Sequence, residues 1–382
     1  MATVGVVTGV VSGAGRARGL LGGELLAAGV VGGLLYAVTG QVIIWVLGGV
    51  LGAVIACRVA CAAGAPAEPS SRIRKVGQLL IGAVIGPSIA TQELPVSPTL
   101  LAVLAGGVLV TLLASLGVAR LYHAFAPVDG LTAGLATLPG GIGIMPSVAA
   151  EYRRPVGLVA VVQSFRMTLV LVTALVVFAV SAGPAGGTPA TERSLLPASW
   201  PGWTYLVALL GGSVVAAWAA GRLRVPVPTL LGPLVYGALL SLGLRAFGTD
   251  PELLAAPFLQ EILGQILLGV TVGEYLAQRY RDGRDALVGG LTGVVVTCGV
   301  ALLIAFGMSA VGPWSFLTAF LMVAPGGAPE MVVIAAATGD GDLALVLAAQ
   351  TGRQVLVNIL MPAWIRLFDR FDRPGRSRCP DP

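Results

Sequence analysis

The sequence predicts an all-α, polytopic membrane protein made of two inverted-topology repeats, each with five transmembrane helices and one re-entrant Pro-Gly-Gly segment. Three observations predict it. Mean hydropathy is +0.91 and only 11% of residues are charged, where a soluble domain carries about 25%. Gly40–Ala60, Pro98–Ala119, Pro155–Val180, Trp203–Gly221 and Asp285–Gly307 each reach the ~20 residues needed to cross a bilayer as a helix. Finally, the chain repeats itself.

The repeat has a constant offset of 186 or 187 residues. Gly77, Gln78, Gly82 and Gly86 match Gly264, Gln265, Gly269 and Gly273, and Gly107 and Thr111 match Gly293 and Thr297. Pro139, Gly140, Gly141 and Met145 match Pro325, Gly326, Gly327 and Met331, and Gln163 and Arg166 match Gln350 and Arg353. Chance similarity between apolar stretches would not hold one offset over so many glycines and polar residues. The expected organisation is an N-terminal cytoplasmic tail (1–20), a first membrane repeat (21–182), a Gly/Pro/Ser-rich linker (183–202), a second repeat (203–369) and a basic cytoplasmic tail (370–382).

Each half holds six apolar segments, and the fifth contains Pro-Gly-Gly. If that fifth segment turns back before crossing, 19 basic residues lie inside, Arg193 and Arg245 lie outside, and Arg166 and Arg353 lie within the membrane. If all six segments cross, the count falls to 14 inside and seven outside. Positive charge collects on the cytoplasmic side, so five crossings and opposite re-entrant segments are expected in a plasma (inner) membrane protein with both termini cytoplasmic.

The other composition signals exclude function classes. The net charge is +5, but the basic residues are scattered between apolar segments without aromatic interleaving, so no nucleic acid is expected as a partner. Cys57, Cys61, Cys298 and Cys379 form no CxxC pair, and His123 is the one histidine; no metal centre, cofactor or enzyme constellation follows. A basic start with a short apolar core, the mark of a signal peptide, is not seen.

The broken segments carry the functional expectation. Proline stops a helix and glycines let backbone approach a ligand. A helix restarting beyond the bend offers free N–H groups and a positive dipole end. Bends at matched positions of inverted repeats are how secondary transporters build a midplane site. Gln163/Arg166 and Gln350/Arg353 are three apart, on one helix face each. A charge at that depth costs on the order of 3 kcal/mol, so it faces a cavity or a partner. The alternatives are an arginine aimed at a small anionic solute, or a structural one, either in an ion pair or bonding carbonyls at the C-terminal end of a half-helix. Glu330, which stands where the first copy has Ile144, either carries a coupling H⁺ or Na⁺ or neutralises an arginine. Asp340 and Asp342 read as a solvated turn, and Glu261 and Glu274 as reaching the membrane interface.

The stretches "LPGGIGIMPSVAAEYRR…VVQSFR" and "APGGAPEMVVIAAATGDGD…AAQTGR" resemble the AbrB-type duplicated membrane-protein family, over roughly residues 21–369. Its members are variously labelled membrane regulator or putative ammonia monooxygenase. The resemblance implies a duplicated integral membrane protein and, from the first label, a non-transporting regulator or sensor of gene expression. Ammonia oxidation would need a metal site that one histidine does not support. A weaker likeness is to anion transporters of the citrate-symporter kind, which also have inverted five-helix halves and glycine-rich re-entrant loops. The second copy departs from it with Ala328-Pro329 after its glycines. The expected function is secondary-active transport or export of a small, carboxylate-like organic anion by alternating access, through Pro139, Gly140, Gly141, Gln163, Arg166, Pro325, Gly326, Gly327, Gln350 and Arg353. The bilayer is the surrounding partner, and a homodimer is compatible with the sequence.

Overall fold

The computed structural model describes residues 2–63, 69–89, 98–140, 144–182, 194–225, 227–254, 256–277, 283–338 and 343–371. Its helices are α1 (Ala2–Thr39), α2 (Ile44–Ala62), α3 (Ser71–Ile89), α4 (Pro98–Phe125), α5 (Gly130–Thr137), α6 (Met145–Glu151), α7 (Val156–Ala182), α8 (Trp200–Arg222), α9 (Pro228–Ala246), α10 (Phe258–Ala277), α11 (Arg284–Val311), α12 (Phe316–Val323), α13 (Ala328–Thr338), α14 (Leu343–Ile359) and α15 (Met361–Asp369). The all-helical, multi-pass class expected from the sequence is the class found.

Among the described residues seven helices are long and apolar enough to span: α1, α2, α4, α7, α8, α9 and α11. An eighth follows if α14 and α15, bent by 62° at their junction, form one span. The sequence expectation was ten. Helices α3 and α10 have the length, at 19 and 20 residues, but carry more polar residues. Gln260, Gln265 and Glu274 of α10 are all buried in protein. Glu274, expected at the interface, instead accepts a hydrogen bond from the Ser70 N–H at 3.0 Å.

The chain forms two compact units, each drawing on both halves of the sequence. The first takes residues 1–91 and 186–278, the second 92–185 and 279–382. In the first unit the third helix of each half packs on the second helix of the other. Cβ atoms added at Gly82 and Gly86 of α3 would come closer than 3.0 Å to the Leu230 and Leu234 carbonyl oxygens of α9. Gly269 and Gly273 of α10 stand in the same relation to the Val46 and Val50 carbonyl oxygens of α2. Glycine at these four points lets the backbones touch, the usual device for helix contact in lipid, where burial of apolar surface offers little drive.

The second unit holds both Pro-Gly-Gly segments. Its C-terminal helix α15 lies against α5, where Phe368, fully buried, fills a notch left by Gly130 and Gly134. Trp364 stacks on Phe368 with centroids 6.1 Å apart, and Phe371 meets Phe368 edge-on at 5.8 Å. His123, at the end of α4, places Nδ1 2.8 Å from the Val128 carbonyl and Nε2 3.1 Å from that of Phe371. The one histidine is thus a brace between α4, the start of α5 and the chain beyond α15.

Candidate functional site

The first broken segment is a helical hairpin. Asp129 caps α5, its Oδ1 accepting from the Thr132 N–H at 2.9 Å, which satisfies one of the orphan donors of a helix start. The helix ends where Leu138 turns extended (φ −66°, ψ 131°) ahead of Pro139, since a residue before proline is driven out of the α region. After the bend α6 returns, and the Arg154 Nε lies 3.5 Å from the Asp129 Oδ1. Start and end of the hairpin therefore meet at one mouth. The second copy is built alike. Ser315 caps α12 by accepting from the Thr318 N–H at 3.1 Å, Ala324 turns extended before Pro325, and α13 starts at Ala328.

Each hairpin is held by the helix that follows it. Gln163 of α7 donates through Nε2 to the carbonyls of Leu135 (2.7 Å) and Leu138 (3.0 Å). Arg166 donates through Nη1 to Thr137 (3.2 Å) and Leu138 (3.0 Å). In the second copy Gln350 of α14 donates to Leu321 (2.5 Å) and Ala324 (3.2 Å), and the Arg353 Nη1 donates to Val323 (3.3 Å) and Ala324 (2.7 Å). The donors differ by 187 positions and the acceptors by 186, so the sequence repeat returns as one hydrogen-bond set. In both copies glutamine and arginine thus bond carbonyls at the C-terminal end of a half-helix, the negative end of its dipole. This is the half-helix role among those the sequence left open, fulfilled by Nη1. Arg166 is 1% exposed and Arg353 3%; ten residues past Val156, Arg166 sits about 15 Å along α7.

Each tip lies against the anchoring helix of the other half. The Gln354 Nε2 of α14 donates to the Gly140 carbonyl at 2.6 Å. A Cβ at Gly326 would lie 3.1 Å from Cγ1 of Val170, and one at Gly327 would lie 2.5 Å from Cε of Met167, both on α7. Gln354 and Met167 occupy the same repeat position, each reaching the tip of the other half's hairpin. Neither was singled out from the sequence, although the Met/Gln mismatch one place after each arginine was visible. Asp129 and Ser315 were also missed; the signal was Asp-x-x-Thr against Ser-x-x-Thr at the repeat offset.

Of the predicted residues, Pro139, Gly140, Gln163, Arg166, Pro325, Gly326, Gly327, Gln350 and Arg353 all lie in this unit around the two bends. Glu330 is buried at 7% exposure in the first turn of α13, its carboxylate folded over Gly327. Gly141, Asp340 and Asp342 lie outside the described residues, as do residues 183–193 of the linker and the tail beyond 371.

The family described as "Transition state regulatory protein AbrB" matches residues 45–369. The chain is 29% identical over 269 residues to "Uncharacterized protein YhjN" of Bacillus subtilis (strain 168), covering 64% of this chain and 65% of that protein. It is 29% identical over 304 residues to "Putative regulator AbrB" of Escherichia coli (strain K12), covering 78% of this chain and 83% of that one. The chain thus spans a little under two thirds of the length of the first of these relatives. No solved structure matches the chain significantly.

Proposed function

Since the chain belongs to the AbrB family, we propose that this member is a secondary-active transporter or exporter of a small, carboxylate-like organic anion, working by alternating access. One observation carries the proposal: two matched broken hairpins, each held by a Gln-x-x-Arg pair, with Gln354 of one half bonded to the Gly140 tip of the other. Helical breaks at membrane depth persist only where protein or a watery cavity surrounds them, and paired breaks in inverted repeats flank the solute path of transporters.

Entry of the hairpins from opposite faces is part of the reading. The charge count supports it, as does the parallel course of α5 beside α7 and of α12 beside α14 given by the bond registers. The positive faces of Arg166 and Arg353 suit an anion, and the buried carboxylate of Glu330 is the coupling candidate for H⁺ or Na⁺. The protein would sit in the plasma membrane with both termini cytoplasmic.

The test is flux. The full-length protein, reconstituted in liposomes, is expected to exchange at least one radiolabelled mono-, di- or tricarboxylate against its unlabelled form, with saturation and above protein-free liposomes. No flux of any of them, under an imposed H⁺ or Na⁺ gradient, contradicts transport. The names of the family and of the Escherichia coli relative favour a second reading, a non-transporting membrane regulator, and that null result would leave it standing.

A further inference from the structure

The two Gln-x-x-Arg pairs share their backbone bonds through Nη1 and the glutamine nitrogen, and in both the arginine Nε has no partner; they differ at Nη2 and at the glutamine oxygen. In the second copy Nη2 and the glutamine oxygen are both occupied. The Arg353 Nη2 donates to the Gly326 carbonyl at 3.1 Å and to Oε1 of Gln350, so the arginine and the glutamine also hold each other. In the first copy the Gly140 carbonyl, the counterpart of Gly326, is taken by Gln354 from the other half. Arg166 bonds through Nη1 only, so that Nη2 stands open beside an Nε that lacks a partner as it does in Arg353, and Oε1 of Gln163 has no partner either. The orientation of that amide is set, because both groups facing its nitrogen are carbonyl oxygens.

Buried polar atoms without partners are rare and call for an explanation. Here a donor and an acceptor are left over together, one helical turn apart on one face of α7, in side chains 1% and 0% exposed. The donor is the Nε–Nη2 edge of a guanidinium, the fork that meets a carboxylate side-on in two parallel bonds. The acceptor can only receive a proton. A carboxylate that carries a hydroxyl or an ammonium on a neighbouring carbon presents both complements at once.

We propose that the two copies have divided their work: Gln163 and Arg166 recognise a hydroxy- or amino-carboxylate, while Gln350 and Arg353 only hold the second hairpin in place. This rests on the transport-site reading above and narrows it to one half of the repeat and one substrate class. Arg166 binds the carboxylate by its side-on fork, and Oε1 of Gln163 accepts from the hydroxyl or ammonium. The closed second copy supplies the rigid wall against which the first one works.

The experiment is thermal unfolding of the full-length protein in detergent, first without ligand. Arg353→Gln is expected to lower the melting temperature by several degrees, because it strips partners from three carbonyls and from Gln350. Arg166→Gln is expected to lower it less, because it strips partners from two carbonyls only. Four pairs of probes then follow: lactate and propionate, malate and succinate, citrate and tricarballylate, glutamate and glutarate. At least one hydroxylated or aminated member should stabilise the wild type, and bind at least about tenfold tighter than its unsubstituted partner, the worth of one added hydrogen bond. Arg166→Lys, which keeps the charge and loses the fork, should abolish that shift while lowering the ligand-free melting point less than Arg353→Gln does.

Equal destabilisation by Arg166→Gln and Arg353→Gln overturns the division of work. No stabilisation by any substituted probe, or equal stabilisation within every pair, overturns the substrate class. The two proposals fail separately. A correct melting pattern without flux refutes transport and leaves this site. Flux lost equally in well-folded Arg166 and Arg353 variants refutes this site and leaves transport.

Discussion

Gly269→Leu is expected to prevent the first unit from assembling. The added side chain would start inside the Val46 carbonyl of α2, and backbone on both sides leaves nothing flexible to move aside. Overpacking a tight contact costs about 1–3 kcal/mol when neighbours can shift, and here the helices themselves must separate, so the upper end or more applies. Gly82→Leu should do the same at the α3–α9 contact, where the Leu230 carbonyl stands in the way. Gly106→Leu, at a position where a Cβ meets nothing within 4 Å, serves as the control. Monodisperse elution from size exclusion in detergent should survive only in the control; normal elution of Gly269→Leu would show that the α2–α10 contact is looser than described.

The second large effect concerns the brace on the first hairpin. Phe368→Ala removes a completely buried ring that lies over Gly134 and packs against Trp364 and Phe371. Such a truncation costs about 3–5 kcal/mol, against a total stability of roughly 5–15 kcal/mol. Much of the loss should appear locally, since α15 has little else to bind. Hydrogen exchange of the amides in 129–138 should accelerate in the variant while those of α2 and α10 stay protected. Unchanged exchange at the hairpin would mean that α15 does not hold it.

Much of the fold was legible because the repeat left its glycines and its polar pairs in register. The matched Pro-Gly-Gly breaks, the Gln-x-x-Arg pairs and the small-residue helices could be read directly, and the structure turns each into a contact. The partners could not be read. Gly82 and Gly269 announce a close approach, but nothing in their neighbourhood names α9 or α2 as the helix approached. The acceptors of Gln163 and Arg166 are backbone carbonyls, which every residue carries, so the sequence left open whether arginine faced a solute or a half-helix end. The difference between the copies is that the Arg353 Nη2 finds the Gly326 carbonyl while the matching Gly140 carbonyl is taken by Gln354, which stands where the first half has Met167. Helices α3 and α10 fall outside the seven apolar spans for a related reason: they are less apolar than a lipid-facing helix, and the polar side chains of α10 are sheltered by protein.

The central claim is that the two hairpins dip into the membrane from opposite faces to meet beside Arg166 and Arg353. Single cysteines at Glu151, exposed at the mouth of the first hairpin, and at Pro313, exposed just before the second, test it in a background free of the native cysteines. An impermeant maleimide should label Glu151→Cys only in inside-out vesicles and Pro313→Cys only in right-side-out ones. Labelling of both from the same side would contradict the account.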